Sequence, residues 1–254
     1  MKVLITGYDG FVGKNLINTL KRKHSVDELL LYNRKNSFDD LNLFCNQADV
    51  VFHLAAAVRP KARNGYDDNI ELTNRLIDCL AKNENKCPIM FASSIQAKDN
   101  NPYGISKRSE ESNLISYGVK NDLNIYIFRF PNLFGKMSKP NYTSVISTFC
   151  YNTIMGMPIT INDSGTMINF AFVEDVLDEV TDIVLDKKQK SADYIEFDDC
   201  YLVGLGELAY YMQTLKNNTF PQIDRKDDFY LKLKQTYNWY LKNYKMFNNL
   251  SCKG

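Results

Sequence analysis

The stretch KVLITGYDGFVGKNL, residues 2–16, decides how the rest of the chain is read. Residues 2–6 form a short apolar and β-branched run that breaks at Gly7. Glycines recur at Gly10 and Gly13, and Val12, Leu16 and Leu20 then follow at helical spacing. The order is strand, glycine turn, helix. Outward from it, apolar runs at residues 29–32, 50–54, 89–92 and 125–128 predict four more strands. Ile70, Thr73, Leu76, Ile77 and Leu80 predict one intervening helix, and the segment after Tyr103 predicts another. Strands alternating with helices build a parallel sheet. Runs that are apolar throughout suit strands covered on both faces. The fold class expected is therefore α/β, a Rossmann-like doubly wound parallel sheet, followed by a smaller C-terminal substrate-binding region.

The expected division is residues 1–135 for the nucleotide-binding and catalytic domain and 136–254 for the smaller region, packed closely on the first. Residues 36–48 offer one polar helix where many such folds insert a strand. Beyond Gly135 the pattern predicts a helix through Cys150, strands at 158–162 and 170–173, a helix from Asp175, and one terminal helix in 221–254. With 254 residues, 44% hydrophobic and a formal net charge of +1, the chain can bury a sizeable core. It carries no basic excess of the kind that serves nucleic acid or anionic membranes. No run reaches the roughly 18 apolar residues that span a bilayer, and the first apolar run is too short for a signal peptide. A cytoplasmic location follows as the expectation. Six scattered cysteines without a CxxC pair, and two histidines, predict reduced thiols and no metal site.

The glycine triplet, placed after the first strand and opening an amphipathic helix, points to a dinucleotide. Absent side chains let backbone N–H groups approach a pyrophosphate at the helix N-terminus. At the end of the second strand the chain reads Tyr32-Asn33-Arg34-Lys35. No carboxylate stands there for an NAD ribose, and Arg34 can offer a planar fork to a 2′-phosphate. NADP(H) is expected in preference to NAD(H).

Tyr103 and Lys107 stand four residues apart at the start of a helix, so both lie on one face. The preceding strand ends at Ser94, at the sheet edge where the glycine turn should open. A second YxxxK, Tyr230 and Lys234, has no such setting and is read as coincidence. A free tyrosine titrates near 10. An ammonium about 4 Å away, at an effective dielectric near 20, would lower that by at most roughly three units before desolvation opposes it. Tyr103 is thus expected as the general acid–base, assisted by Lys107, with Ser94 bonded to the reacting oxygen. His53 reads as a satisfied strand-end histidine.

GYDGFVG (7–13), HLAAA (53–57), Ser94, YGISK (103–107) and FVED (172–175) together resemble the extended short-chain dehydrogenase/reductases, the group of nucleotide-sugar epimerases, dehydratases and reductases. More narrowly, SSIQAKDNNPYGISK, RFPNLFGK and KPNYTSVISTFCY resemble the reductase domain of capsular-polysaccharide enzymes that also carry a metal-binding cupin domain. The resemblance implies Ser94, Tyr103 and Lys107 as the catalytic triad of an NADPH-dependent reductase acting on a UDP-linked 4-keto-6-deoxy-N-acetylhexosamine, for capsule or O-antigen synthesis. It places cofactor contacts on Gly7, Gly10, Phe11, Val12, Gly13, Arg34, Lys35, Leu54, Ala55, Ala56, Tyr103 and Lys107. Substrate contacts fall on Ser94, Asn132, Asn141, Tyr142 and Arg59. Since the chain stops at Gly254, no cupin domain is expected, and either a separate epimerase in the same pathway supplies that step or the substrate does not need it. A homodimer is the family expectation. Ile95 and Gln96 stand where a 4,6-dehydratase of the family would have an acid pair. A 4-epimerase that retains NAD shares Ser, Tyr and Lys and stays open as the alternative; a non-catalytic NADP-binding sensor or scaffold is the alternative of another class.

Overall fold

A computed structural model describes residues 1–58, 66–186, 194–219 and 228–250, with side chains to residue 247. In chain order the first elements are β1 (Lys2–Thr6), α1 (Phe11–Lys23), β2 (Glu28–Tyr32), α2 (Phe38–Gln47), β3 (Val50–His53), α3 (Asp67–Lys82), β4 (Ile89–Ser94), a 3-10 turn (Ile95–Lys98), α4 (Pro102–Asn121) and β5 (Ile125–Phe130). There follow β6 (Asn132–Phe134), α5 (Val145–Met155), β7 (Met167–Phe172), α6 (Val173–Leu185), β8 (Tyr194–Ile195), β9 (Tyr201–Gly204), α7 (Leu205–Lys216) and α8 (Asp228–Asn243). The chain forms two compact units, Met1–Phe130 with Val176–Phe197, and Pro131–Asp175 with Asp198–Gly254.

In the first unit the described strands lie in the order β2-β1-β3-β4-β5-β8, all parallel. The order turns back at β1, with β2 on one side and β3 on the other, which is the topological switch point of a doubly wound sheet. Thr6 aligns with Tyr32 and with His53, so the ends of β1, β2 and β3 open at one edge. Val3, Leu4, Ile5, Val51, Phe52, Ile89, Met90 and Phe91 are fully buried, as strands covered on both faces require. The core under α2, α3 and α4 joins Leu30, Leu41, Leu76, Leu80, Leu114 and Ile127 to Cys45 and Cys87. Cys45, Cys79, Cys87, Cys150 and Cys200 are free thiols, and burial pushes the Cys87 thiol up to about 12. Salt bridges from Arg22 and Lys23 to Asp178 and Asp182 tie α6 to α1.

The second unit is built on a small sheet in the order β6-β7-β9, with β6 parallel and β9 antiparallel to β7. Its core is aromatic: Phe134, Phe170, Phe172, Tyr211, Phe229, Tyr230 and Tyr240 pack together with Leu208 and Leu233. Tyr230 of the second YxxxK is one of these core rings.

The structure departs from the sequence expectation at four places. Residues 158–162 form no strand, because no neighbouring strand pairs with them; the unexpected β6 and β9 flank β7 instead. The helix expected from Asp175 begins at Val173, and the terminal helix spans Asp228–Asn243 before a 3-10 turn, Tyr244–Leu250. The two-residue strand β8 was not foreseen. The units do not divide once at residue 135: the chain leaves the first unit after Phe130, and residues 176–197 return to it, since β8 completes the first sheet. Among the described residues no helix is long and apolar enough to cross a membrane.

Candidate active site

The glycines of the first turn have separate physical reasons. Gly7 has φ +71°, the left-handed region, and a Cβ there would stand 2.8 Å from the N and Cα of Ala55. A Cβ on Gly13 would stand 2.5 Å from the Gly7 carbonyl oxygen and 2.6 Å from Tyr8 Cα. At Gly10, chain neighbours aside, the one atom of the described residues within 4 Å of such a Cβ is the Gly7 oxygen, at 3.2 Å. Gly10 caps α1 with no side-chain hydrogen bond, and no acid stands in the first helical turn. Backbone N–H groups and open space together form a cradle that fits a pyrophosphate. Phe11, Val12 and Gly13 open the helix beneath it. Leu54 and Ala55, beyond β3, donate their backbone N–H groups to Thr6 Oγ1, each at 3.2 Å, and Ala56 follows.

At the end of β2, Arg34 and Lys35 are exposed. Asn33 donates from Nδ2 to the Asp9 carboxylate at 3.0 Å and accepts from the Lys35 backbone N–H at 2.9 Å. Asp9, from the glycine turn, therefore supplies an acid that sequence inspection of β2 alone did not place at this corner.

Ser94 is the last residue of β4, and its Oγ accepts from the Gln96 N–H at 3.2 Å, which leaves its own proton free to donate. Helix α4 begins at Pro102, with Asn101 as its cap bonding the Gly104 N–H at 2.8 Å. A Cβ on Gly104 would stand 2.2 Å from the Gln96 carbonyl oxygen, so α4 docks directly on the turn that follows Ser94. Arg108 fastens the same turn with 2.6 Å bonds to the Ala97 and Asp99 carbonyls. These contacts bring Tyr103 to the Ser94 end of β4. Lys107 Nζ lies 5.9 Å from the Tyr103 ring centroid and 4.4 Å from that of Phe91, and the lysine is 1% exposed.

The electrostatics differ from the sequence expectation. The Tyr103 phenol is raised above the ordinary tyrosine range, by burial first and then by Glu110 and Tyr66. Lys107, whose ammonium faces Glu110 Oε1 at 3.4 Å, does not reverse that rise. Glu110 was not singled out in the sequence. Glu111 was also missed: it is 1% exposed and takes two bonds from Arg129, at 3.0 and 2.7 Å, and one from Ser93 at 2.5 Å. The one available signal was a pair of acids directly after YGISKRS on an otherwise buried helix face. His53 is satisfied as expected, by Thr6 Oγ1 at 2.7 Å and Thr73 Oγ1 at 2.9 Å, and burial pushes it down to about 3.

Asn132, Asn141 and Tyr142 belong to the second unit. Asn132 opens β6, and its side chain donates to the Asn169 carbonyl at 3.2 Å. Asn141 has φ +55°, and Tyr142 is 39% exposed with Lys139 Nζ 5.6 Å from its ring. Arg59 lies outside the described residues. Among the described residues no three His, Cys, Asp or Glu side chains are grouped to hold a metal ion.

The family model of the NAD dependent epimerase/dehydratases matches residues 3–195. The chain belongs to that family. It is 37% identical over 219 residues to the UDP-2-acetamido-2,6-beta-L-arabino-hexul-4-ose reductase of Pseudomonas aeruginosa, a match covering 86% of this chain and 58% of that protein. Among solved structures it is similar to the capsular polysaccharide assembling protein CapF of Staphylococcus aureus, with a TM-score of 0.82 and 31% identity over 98% of this chain and 67% of that one. WbmF of Bordetella bronchiseptica, solved with NAD+ and UDP, superposes with a TM-score of 0.82 at 18% identity, covering 98% of this chain and 94% of that one, and shows the fold alone. The chain thus spans about three fifths of the curated reductase it matches. In this epimerase/dehydratase fold the described site holds the cofactor cradle and Ser94, Tyr103 and Lys107 within one unit.

Proposed function

We propose that the protein reduces the C4 keto group of a nucleotide-activated, UDP-linked 4-keto-6-deoxy-N-acetylhexosamine, with NADPH as donor, in the synthesis of a surface polysaccharide. The observation that supports this reading is the docking of α4 through Gly104 on the turn that follows Ser94, which brings the Tyr103 end of the helix to the end of β4. The identity to a reductase of a UDP-linked hexulose, where 4-epimerases match only in fold, supports reduction over epimerisation.

Bound NADPH supplies the hydride to C4. The chain supplies the rest. The π pair of the carbonyl passes to oxygen, and Tyr103 O–H donates its proton there while Ser94 O–H holds the same oxygen by a hydrogen bond. A phenol kept neutral suits this direction, since the reaction consumes a proton at that atom. Lys107 holds the cofactor ribose, and Asn132, Asn141 and Tyr142 are assigned to the sugar nucleotide. NADPH in preference to NADH rests on Arg34 and Lys35, two cations set against the single Asp9 carboxylate, with Arg34 offering a fork to the 2′-phosphate. The reading includes a homodimer and a cytoplasmic location.

The test is oxidation of NADPH, and separately of NADH, on adding the UDP-linked 4-keto sugar to wild type and to Tyr103→Phe. Oxidation that prefers NADPH and falls at least a hundredfold in the variant is expected. Interconversion of UDP-sugars without net oxidation would move the protein to the epimerases, and cofactor binding without either reaction would make it a sensor.

A further inference from the structure

Beneath the site lies a buried chain of polar side chains that the reductase reading does not use. Thr6 of β1, His53 of β3, Thr73 of α3 and Glu110 of α4 are each fully buried, and consecutive members are 2.7, 2.9 and 3.0 Å apart. The chain has a direction. Thr6 Oγ1 already accepts two backbone N–H groups, from Leu54 and Ala55, so its own proton goes to His53 Nδ1. Neutral His53 then carries its proton on Nε2 and donates to Thr73, whose single hydroxyl proton is shared between Glu110 Oε2 at 3.0 Å and the Asn69 carbonyl at 3.1 Å. The other Glu110 oxygen, Oε1, takes no hydrogen bond from the described residues and faces the Lys107 ammonium.

We propose that Glu110 is a positioning residue for the catalytic lysine: its carboxylate, held within a buried polar chain that starts beside the cofactor turn, anchors the Lys107 ammonium and offsets part of its pull on the Tyr103 phenol. The inference rests on the reductase reading for its purpose and on the buried chain for its geometry. Burial raises the Glu110 carboxyl above its ordinary range, and its ionic partner Lys107 and hydrogen-bond partner Thr73 oppose that rise. Tyr103, Lys107 and Glu110 follow at steps of four and three residues, so they share one face of α4. Tyr103 and Glu110 are seven residues apart, about 10 Å along the axis. A charge at that range, at an effective dielectric near 20, shifts a neighbour by on the order of one pH unit. The other groups bearing on the pair are Lys107 and Glu111 from α4, Tyr66 ahead of α3, and His53 from β3, which stays neutral. The Glu110 charge opposes the pull of the lysine on the phenol.

The experiment compares wild type, Glu110→Gln and Glu110→Asp by two readouts. One is the alkaline limb of the pH profile of kcat for NADPH oxidation. The other is the ultraviolet titration of the Tyr103 phenolate, taken as the difference from the matching Tyr103→Phe protein and needing neither sugar nor cofactor. The Gln variant is expected to move both to lower pH by about one unit, and Asp, which keeps the charge, to return them toward wild type. A Gln variant that leaves both in place, or an Asp variant that moves them as far as Gln, overturns the proposal. If Gln does not fold, Glu110→Ala removes the same charge with room for water. No NADPH oxidation beside a shifted titration would remove the reductase reading alone.

Discussion

Alanine at each of the three glycines of the first turn should separate stability from cofactor binding, although the motif is one. At Gly7 an alanine must adopt φ +71° and bring its Cβ to 2.8 Å from Ala55 backbone, which cannot move aside as a side chain could. Left-handed strain of roughly 1–2 kcal/mol and overpacking of roughly 1–3 kcal/mol sum to about 2–5 kcal/mol. Gly13→Ala meets backbone at 2.5 Å but gains about 1 kcal/mol of helix propensity, for a net loss near 2 kcal/mol. Gly10→Ala keeps an ordinary φ of −75° and a single neighbour at 3.2 Å, so the loss stays within about 1 kcal/mol. The order reverses for binding. The Gly10 methyl enters the space left for the pyrophosphate, and NADPH affinity should fall at least about tenfold, ~1.4 kcal/mol. Urea unfolding without ligand and calorimetric titration with NADPH measure the two quantities. A Gly10→Ala protein as destabilised as Gly7→Ala, with its NADPH affinity intact, would refute the assignment of roles.

Two further outcomes follow from buried charge. His53 is held down to about 3 from 6.5, so between those values the unfolded chain binds the additional proton and stability falls as pH falls, by up to about 1.4 kcal/mol per unit. Unfolding at pH 5 should therefore cost about 2 kcal/mol less than at pH 7 on this account, and His53→Gln should lose that part of the difference; an unchanged difference would show that another group is responsible. Arg129→Met leaves the Glu111 carboxylate buried with only Ser93 as a bonded partner and should destabilise by about 3–5 kcal/mol, with part recovered when Glu111→Gln is added. A single variant of wild-type stability, read from the urea midpoint, would show that the pair contributes little.

Much of the first unit was legible because its signals are local. A strand that ends at Gly7, a helix whose apolar residues repeat from Val12, and buried runs at 50–54 and 89–92 each report their own environment. Tyr103 and Lys107 were found for the same reason, since four residues on a helix fix a shared face. The second unit was harder. Residues 158–162 have strand-like side chains but no partner, whereas β6 and β9 exist because β7 lies between them, and pairing is not a property of the paired segment alone. The rise of the Tyr103 phenol was hidden likewise: Lys107 predicts the opposite direction, and only the folded structure shows the burial that raises it, with Glu110 adding to the rise.

The sequence by itself determined the doubly wound class, the glycine turn after β1 and the shared helix face of Tyr103 and Lys107, because periodicity and turn chemistry act within a few residues. Only the tertiary structure decided which charges meet. Thr6, His53, Thr73 and Glu110 come from four elements separated by 20 to 47 residues at their nearest links, and Asp9 reaches Asn33 across 24. Electrostatic energy depends on distance and burial through space, which parallel pairing of β1 with β2 and β3 and the packing of α3 and α4 supply.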